Sequence, residues 1–363
     1  MTGIPPEERI ERTKAFYAMR NTEGPLLGFF TDTYYPLKRY RTEPHLPGGR
    51  YQARDLVVSN FLDQYERLYS EYEALGGELF WSAAAFWGVP WLEAIAGCAV
   101  FADHDTGSSR SRPPERPPLA EDIPEPSLDD PWVVKAREFL VALRHRAGSS
   151  APEQHSGRFP LATTLMRGIA DLMAALYGSP AFIYRLLDSP AESLRVAERI
   201  VRLWIGFAKS QLELIPPYHG GVGSFYYNLW MPGRGVWLQE DAAAVLSPDL
   251  FERFVLPGLA TITEHFDSSI IHLHPSEFIP VDFLIQTDLT AIELHIDYGG
   301  PRAEELYPYY RKIQSRKPLI IWGDLTREDL AFVARALDSQ ALALIPVVKN
   351  KSEAEAIWKS FKG

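Results

Sequence analysis

The sequence predicts an α/β fold, a (β/α)8 TIM barrel with an elaborated N-terminal region and a proline-rich insertion. From residue 160 onward, strand and helix patterns alternate with short connections, which is typical of parallel strands joined by crossover helices. Counted from Leu26, roughly eight such units fit, and this number favours a closed barrel over an open sheet. The sequence contains no glycine fingerprint for dinucleotides and no phosphate-loop motif, which weakens the open-sheet alternative.

The N-terminal part is expected to contain fewer regular elements. Predicted there are a helix at 6–19, a short strand at 26–30, an amphipathic helix at 55–75 that ends at Gly76-Gly77, and a strand at 79–86. Residues 103–131 hold two Pro-Pro pairs and are predicted as a loop insertion, after which a helical pattern resumes at 132–146. The whole chain, residues 1–363, is then expected to form a single barrel domain.

The alternating part of the chain supplies most of the predicted barrel. Its predicted strands are 160–164, 236–239, 269–274, 291–297, 319–322 and 342–347, and its predicted helices are 168–177, 191–214, 248–265, 276–286, 302–316, 327–337 and 352–361.

Composition and charge narrow the function classes. The formal net charge is −10 and no Lys/Arg run stands out, so binding to nucleic acid is not expected. No stretch approaches the roughly 20 apolar residues that span a bilayer, and the first 14 residues have no signal-peptide core. The single cysteine, Cys98, excludes an intramolecular disulfide and a cysteine-rich metal cluster. A cytoplasmic protein is the expectation.

Two short runs place histidines and carboxylates on one face of predicted buried strands. Because side chains alternate along a strand, His272 and His274 share a face, and so do Glu293, His295 and Asp297. Buried parallel strands are ordinarily apolar on both faces, so these polar faces indicate a catalytic or metal site. His272, His274 and Glu293 are the predicted metal ligands. A histidine that only hydrogen-bonds a loop and a structural network around Glu293 remain open alternatives.

Barrel enzymes have their active sites at the carboxyl ends of the strands, where this sequence repeatedly carries ionisable residues. His274, Asp297, Asp324 and Glu240 are therefore the predicted catalytic residues, with Asp297 as a general acid or base. His295 is expected to orient a neighbour. N-capping of the following helix is the competing explanation for Asp324.

Six further residues are predicted to contact a small-molecule substrate. Aromatic residues in loops with Gly or Pro can line a ligand pocket, although packing over the barrel explains them equally well. Arg234 lies between two glycines, which favours a mobile loop that offers a guanidinium to an anion; a solvated surface arginine is the alternative. Two others, Asp32 and Tyr34, follow the first strand at the same rim. The predicted set is Asp32, Tyr34, Tyr226, Trp230, Arg234 and Trp322.

Two runs of residues, together with the His-x-His strand, resemble a known superfamily. The first is Leu165-Met166-Arg167-Gly168 with the segment 174–180, and the second is 246–257, with the pattern Leu-Ser-Pro-x-x-Phe-x-x-Phe-Val-x-Pro. On these residues the chain resembles the uroporphyrinogen decarboxylase superfamily. That superfamily includes the decarboxylase and the zinc-dependent methyltransferases that move methyl groups between corrinoid proteins and thiols. The resemblance extends from about residue 160 to the C-terminus and implies a (β/α)8 barrel with a deep pocket at its C-terminal face.

The chain departs from the superfamily at two places that bear on chemistry. The decarboxylase resemblance implies an arginine-rich loop that grips substrate carboxylates, and residues 31–36, after the first strand, do not contain it. The methyltransferases carry His-x-Cys and a later Cys, whereas this chain has His272-x-His274 and no later Cys. A site of nitrogen and oxygen ligands is the expected replacement, because imidazole and carboxylate both suit Zn²⁺.

The leading hypothesis is an enzyme of this superfamily that carries out metal-assisted methyl transfer, with a corrinoid as substrate or a corrinoid protein as partner. Three alternatives remain open. They are a metal-independent decarboxylase (a lyase) acting on a tetrapyrrole-like acid, a hydrolase with Glu240 and Glu293 as the acid/base pair, and a non-catalytic barrel that binds a ligand such as a corrinoid. The oligomeric state, including a homodimer, is left open.

Overall fold

The computed structural model describes residues 3–148 and 157–362 and shows a mixed α/β fold built around a six-stranded parallel sheet. None of the helices in these residues combines the length and the hydropathy that a bilayer-spanning segment requires.

Most helices and strands follow the predicted order, and additional short elements occur in the N-terminal region and between residues 181 and 232. The α-helices of the described residues are α1 (Pro6–Tyr17), α2 (Pro36–Arg39), α3 (Leu62–Leu75), α4 (Trp91–Ile95), α5 (Pro131–Arg146), α6 (Ile169–Tyr177), α7 (Ala181–Asp188), α8 (Pro190–Leu212), α9 (Pro248–Phe254), α10 (Leu256–Glu264), α11 (Val281–Leu284), α12 (Ala303–Gln314), α13 (Arg327–Ala336) and α14 (Lys351–Lys362). The β-strands are β1 (Leu26–Leu27), β2 (Gly49–Tyr51), β3 (Ala99–Asp103), β4 (Ser108–Arg112), β5 (Gly221–Val222), β6 (Met231–Pro232), β7 (Gly235–Gln239), β8 (Ser268–Leu273), β9 (Ala291–Leu294), β10 (Leu319–Gly323) and β11 (Leu342–Pro346).

The central sheet has the strand order β1-β11-β10-β9-β8-β7, and every neighbouring pair is parallel. All of its residues are buried, as expected for strands covered on both faces. Gln239 pairs with His272, His272 with Glu293, and Glu293 with Ile320. A slip of one residue would turn each side chain of a strand to the opposite face of the sheet. Because both faces are buried, such a slip would disrupt the packing on both sides, and this stabilises the observed register.

The strands predicted at 79–86 and 160–164 are reduced to single bridges. Ala83 bridges Leu161, and further along Arg167 bridges Gln239, both in the parallel sense. Continuous strand pairing therefore does not close the sheet within the described residues.

Side chains take over the backbone groups that a strand ladder would use in this region. The Thr164 amide donates to Gln211 Oε1 at 2.8 Å, and the Thr164 hydroxyl donates to the Ala85 carbonyl at 2.8 Å. Likewise, the Ser82 amide donates to Asn228 Oδ1 at 3.1 Å. These side-chain partners explain why the two segments are extended without forming regular strands.

The prediction that residues 103–131 form a loop throughout is wrong at β4. This strand pairs antiparallel with β3, and β2 completes a three-stranded sheet. The turn between β3 and β4 contains Gly107 with φ +82°. The sequence signal was absent because β4 reads Ser-Ser-Arg-Ser-Arg, with no apolar alternation to mark a strand.

Most predicted helix boundaries in the second half are confirmed to within a few residues, whereas two predicted helices are shorter. The helix predicted at 276–286 is confined to α11, and the one predicted at 55–75 begins at Leu62, after two 3₁₀ turns. The predicted stop of α3 is confirmed, since Gly76 follows it with φ +78°.

Glu78 ties both ends of the chain to the first strand. Its fully buried carboxylate accepts the Leu27 amide at 2.8 Å on one oxygen. The other oxygen accepts Lys362 Nζ at 3.0 Å and the Arg12 guanidinium. Arg12 lies on α1 and Lys362 ends α14, so one carboxylate joins the two terminal helices to β1.

We expect Glu78→Ala to lower the free energy of unfolding by about 3–5 kcal/mol, because it leaves two largely buried cations without their shared partner. The matched control is Glu8→Ala, which removes an exposed partner of the same Arg12 and should cost less than about 1 kcal/mol. Chemical denaturation measures both values. Equal losses in the two variants would contradict this role of Glu78.

Candidate metal centre

Strand pairing brings histidines and carboxylates together at the carboxyl ends of β7, β8 and β9. Gln239, His272 and Glu293 form one row across these strands. Because side chains alternate, His274 lies on the same face as His272. Asp241 begins the 3₁₀ turn that follows β7, and this turn brings its carboxylate beside the two histidines. The site is thus assembled from separate strands by the register of the sheet.

The cluster has a closed side and an open side. His272, Glu293 and His295 are buried, with 5% exposure or less. The side chains of His274 and Asp297 are 37% and 36% exposed. A ligand from solvent therefore meets His274 and Asp297 first.

Each of the two strand histidines is held by a carboxylate. His272 Nδ1 lies 2.5 Å from Glu293 Oε2, and His274 Nδ1 lies 2.9 Å from both oxygens of Asp297. Because carboxylates accept, each Nδ1 carries the donated hydrogen and each Nε2 presents a lone pair. The two Nε2 atoms face each other at 3.0 Å. Two lone pairs at this distance repel, so a proton or a cation belongs between them.

Without a metal, the proton between the two rings belongs to His274. Burial and the neighbouring His274 lower the pKa of His272 to about 3, so His272 is neutral. Burial also disfavours the charged form of His274. The hydrogen bond to Asp297 and the charges of Asp241, Asp297 and Glu293 outweigh that effect and raise the pKa of His274 to about 9. His274 is then an imidazolium that donates to His272.

Asp241 completes a possible ligand set on the Nε2 side. Donor atoms of Asp241, His272 and His274 all lie within 4.8 Å of one another. One Asp241 oxygen accepts from Gln239, and Oδ1 is buried without a hydrogen-bond partner among the described residues. Imidazole and carboxylate are ligands that zinc takes, and a carboxylate behind each imidazole is the usual orienting arrangement. The residues therefore fit a divalent ion.

Two further groups of residues have a spacing that a metal ion could use. His272, Glu293 and His295 form one such group, and His274, His295 and Asp297 form another. In the first group, Glu293 already bonds His272 Nδ1 at 2.5 Å, which is shorter than the ~3.3 Å between two ligands of a tetrahedral zinc. Glu293 is thus better placed to orient His272 than to share an ion with it.

Aromatic rings form the inner wall of the cluster. The Trp322 ring lies 4.6 Å from His295 and 4.3 Å from Tyr226, and Tyr226 stacks on Trp237 at 5.1 Å. Tyr34 packs against Trp322 at 5.3 Å. The indole nitrogens of Trp237 and Trp322 are buried without partners among the described residues. This wall keeps bulk water away from the closed side and strengthens the electrostatic interactions there.

Eight residues predicted from the sequence meet here. Asp324 is half-buried, and burial together with the charge of Asp297 raises its pKa, although Arg302 opposes the shift. Thr326 caps α13 through the Asp329 amide, so capping does not explain Asp324. The eight are Tyr34, Tyr226, His272, His274, Glu293, Asp297, Trp322 and Asp324.

Glu240, predicted to be catalytic, instead points to the helical side of the sheet. Its Oε1 accepts the Ile169 amide at 2.7 Å and its Oε2 accepts the Ala170 amide at 3.0 Å. Both oxygens are thereby used at the N-terminus of α6. Asp241, the next residue, takes the inward position.

Two residues predicted to bind substrate lie at the other end of the sheet, and a third, Asp32, is exposed to solvent. Trp230 and Arg234 precede β7 and so belong to the opposite end of the sheet. Trp230 Nε1 donates to the Tyr218 carbonyl at 2.7 Å, and Arg234 is exposed. Asp32 follows β1 but is exposed, with its carboxylate 3.8 Å from Arg67.

The sequence predicts Glu240 as a catalytic residue, and its local pattern does not single out Asp241 or Trp237 as site residues. Trp237 shares a strand face with Gln239, which pairs with His272, and Asp241 lies in the 3₁₀ turn directly after β7. Counting along β7 from the residue that pairs with His272 identifies these positions. That pairing, the β7–β8 register, is known only from the structure.

No protein-family model matches the chain, and no curated protein matches it. Among solved structures, a methyltransferase from Methanosarcina mazei is similar, with a TM-score of 0.61 and 12% sequence identity. The similarity covers 97% of this chain and 97% of that chain. At this identity it establishes a shared fold.

We expect His274 of the metal-free protein to titrate near pH 9 and His272 to stay neutral down to about pH 3. Because folding raises the pKa of His274 above 6.5, its stabilising contribution is complete below about pH 6.5 and is lost as the pH rises through about 9. Asp297→Asn should move the His274 pKa down, whereas Asp267→Asn, at the other end of β8, should not. Imidazole nitrogen NMR measures the titration, and a His274 midpoint near 6.5 in the unchanged protein would contradict the pairing with Asp297.

Proposed function

We propose that this chain is a methyltransferase with a uroporphyrinogen decarboxylase-like barrel, in which Asp241, His272 and His274 hold a zinc ion. The observation that carries the proposal is the facing pair of Nε2 atoms, 3.0 Å apart, with a carboxylate behind each ring. The methyltransferase fold of the Methanosarcina mazei structure supports methyl transfer as the class of reaction.

A single closed barrel is part of the proposal. The Glu78 amide donates to the Leu27 carbonyl at 2.8 Å, which links β1 to the segment at 79–86. The bridges of Ala83 with Leu161 and of residue 167 with β7 continue the path. These contacts support a closed barrel of eight parallel segments, of which six are regular strands and two are irregular.

Zinc, when bound, would lower the pKa of an acceptor thiol and so supply the nucleophile for a methyl group. Glu293 and Asp297 hold the two imidazoles in the tautomer that presents Nε2. Asp324, whose pKa is raised by burial, is the proposed acceptor of the thiol proton at the open side. The proposed methyl donor is a corrinoid, free or carried by a partner protein, which would approach from the same side.

The chain should bind one zinc ion, and His272→Ala or His274→Ala should abolish that stoichiometry, since each removes a ligand. Asp241→Asn should weaken the affinity for zinc strongly. Glu293→Gln should weaken it about 10–100-fold and still bind one zinc ion, because Glu293 only orients His272. Elemental analysis after dialysis and calorimetric titration measure these values.

The matched control for the metal measurements is His265→Ala, since His265 is exposed on α10's C-terminal side, away from the cluster. It should bind zinc as the unchanged protein does. Full zinc retention by the His274 variant, or none in the unchanged protein, would refute the site. If Glu293→Gln no longer binds a zinc ion while Asp241→Asn still does, the third ligand is Glu293, as the sequence predicts, and not Asp241.

The zinc-loaded protein should transfer the methyl group of methylcobalamin to a small thiol, and Asp241→Asn should be slower by about 100-fold or more, the scale on which metal-site residues act. Mass spectrometry of the thioether and the cobalamin spectrum follow the reaction, with His265→Ala as the active control. Zinc binding without transfer to any thiol tested would refute methyl transfer while leaving the metal site intact.

A further inference from the structure

A cavity of about 360 Å³ lies at the end of the sheet opposite the histidines. Its floor comes from the residues that precede two parallel segments, Gly77 before 79–86 and Phe159 before 160–164. Residues of α1 and α3 supply the sides. The volume falls within the range of about 300–1,000 Å³ that small-molecule sites occupy.

Flat aromatic rings make up two walls of this cavity. In one group Trp81 and Phe159 meet edge to face at 4.9 Å, and Tyr69 lies 5.1 Å from Phe159. In the other group Phe80 and Tyr218 meet at 5.3 Å. Such walls favour a planar, apolar ligand body.

Arg9 is the cation of the cavity that lacks a carboxylate partner. Its guanidinium lies 4.1 Å over the Phe80 ring, Nε donates to the Glu78 carbonyl at 3.2 Å, and Nη2 donates to the Leu79 carbonyl. Both of these hydrogen bonds go to backbone carbonyls, and Arg9 forms no salt bridge with a carboxylate of the described residues. Its position is therefore fixed by neutral groups, and its charge is available to an anion.

The other charged groups of the cavity are either paired or exposed to solvent. Arg158 donates to both oxygens of Glu66 at 3.0 Å, so that pair is neutral as a unit. Glu73 lines the cavity as well, but it is exposed, so solvent and salt screen its charge. Arg9 is therefore the cation of the cavity whose charge no carboxylate partner neutralises.

A second polar group in the wall also lacks a partner. The hydroxyl of Tyr72 is buried, the residue is 5% exposed, and no described group hydrogen-bonds to it. A ligand oxygen held by Arg9 would provide an acceptor for this hydroxyl.

We propose that this cavity is a second ligand site, separate from the metal centre, which binds a planar anion such as an aromatic carboxylate. The ring lies between the two aromatic walls, and the carboxylate is bound by Arg9 and Tyr72. The site extends beyond the proposed methyl transfer and does not depend on it.

Calorimetry and ligand-observed NMR with benzoate and 2-naphthoate test the site, and benzamide and 2-naphthamide are the neutral probes of equal shape. The carboxylates should bind saturably and at least about tenfold more tightly than the amides, because the bond to Arg9 is charge-assisted. Arg9→Gln should abolish that preference, and Tyr72→Phe should weaken carboxylate binding about fivefold. Arg9→Lys keeps the charge and should retain part of the preference.

Arg234→Gln is the matched control, since this exposed arginine lies at the same end of the sheet outside the cavity. It should bind the carboxylates unchanged. Circular dichroism and thermal denaturation show whether each variant is folded. No saturable binding by either carboxylate, or equal preference in the unchanged protein and Arg9→Gln, would overturn the proposal.

Discussion

The register of the parallel strands β7, β8 and β9 is the constraint on which the rest of the site depends. It sets Gln239, His272 and Glu293 side by side, and alternation then places His274 on the same face as His272. The 3₁₀ turn that follows β7 brings Asp241 beside the two histidines. A slip of one residue would bury these groups against the helices and turn apolar side chains toward the site. Packing of the apolar outward faces against the helices thus fixes which side chains point inward toward the site.

The same constraint gives adjacent carboxylates different roles. Asp241 faces the histidines, whereas Glu240 faces α6 and accepts two backbone amides there. Burial raises the pKa of Glu240 to about 8, although those two amides favour its charged form. A hydrolase that uses Glu240 with Glu293 as an acid/base pair therefore gains no support, because both oxygens of Glu240 are occupied at a helix end.

Hydrophobic pattern and turn chemistry were enough to predict the strands of the second half and the shared face of His272 and His274, since both depend on local periodicity. What the sequence could not show was the relation between strands. Without the β7–β8 register, Asp241 and Glu240 are indistinguishable, and β4, made only of Ser and Arg, carries no apolar period. For a related reason the sequence could not show at which end of the sheet Trp230 and Arg234 lie, because only the observed start of β7 places them at its amino end.

The proposed zinc site has nitrogen and oxygen ligands, which give it a different charge from a site with thiolate ligands. Two neutral imidazoles and the Asp241 carboxylate leave a net charge of about +1 with Zn²⁺, whereas one imidazole and two thiolates would leave none. A more positive centre lowers the pKa of an acceptor thiol further, and it also withdraws more electron density from the sulfur. Because thiolate nucleophilicity falls with pKa, this ligand set suits an acceptor whose ordinary thiol pKa is high, so that the activated sulfur remains reactive.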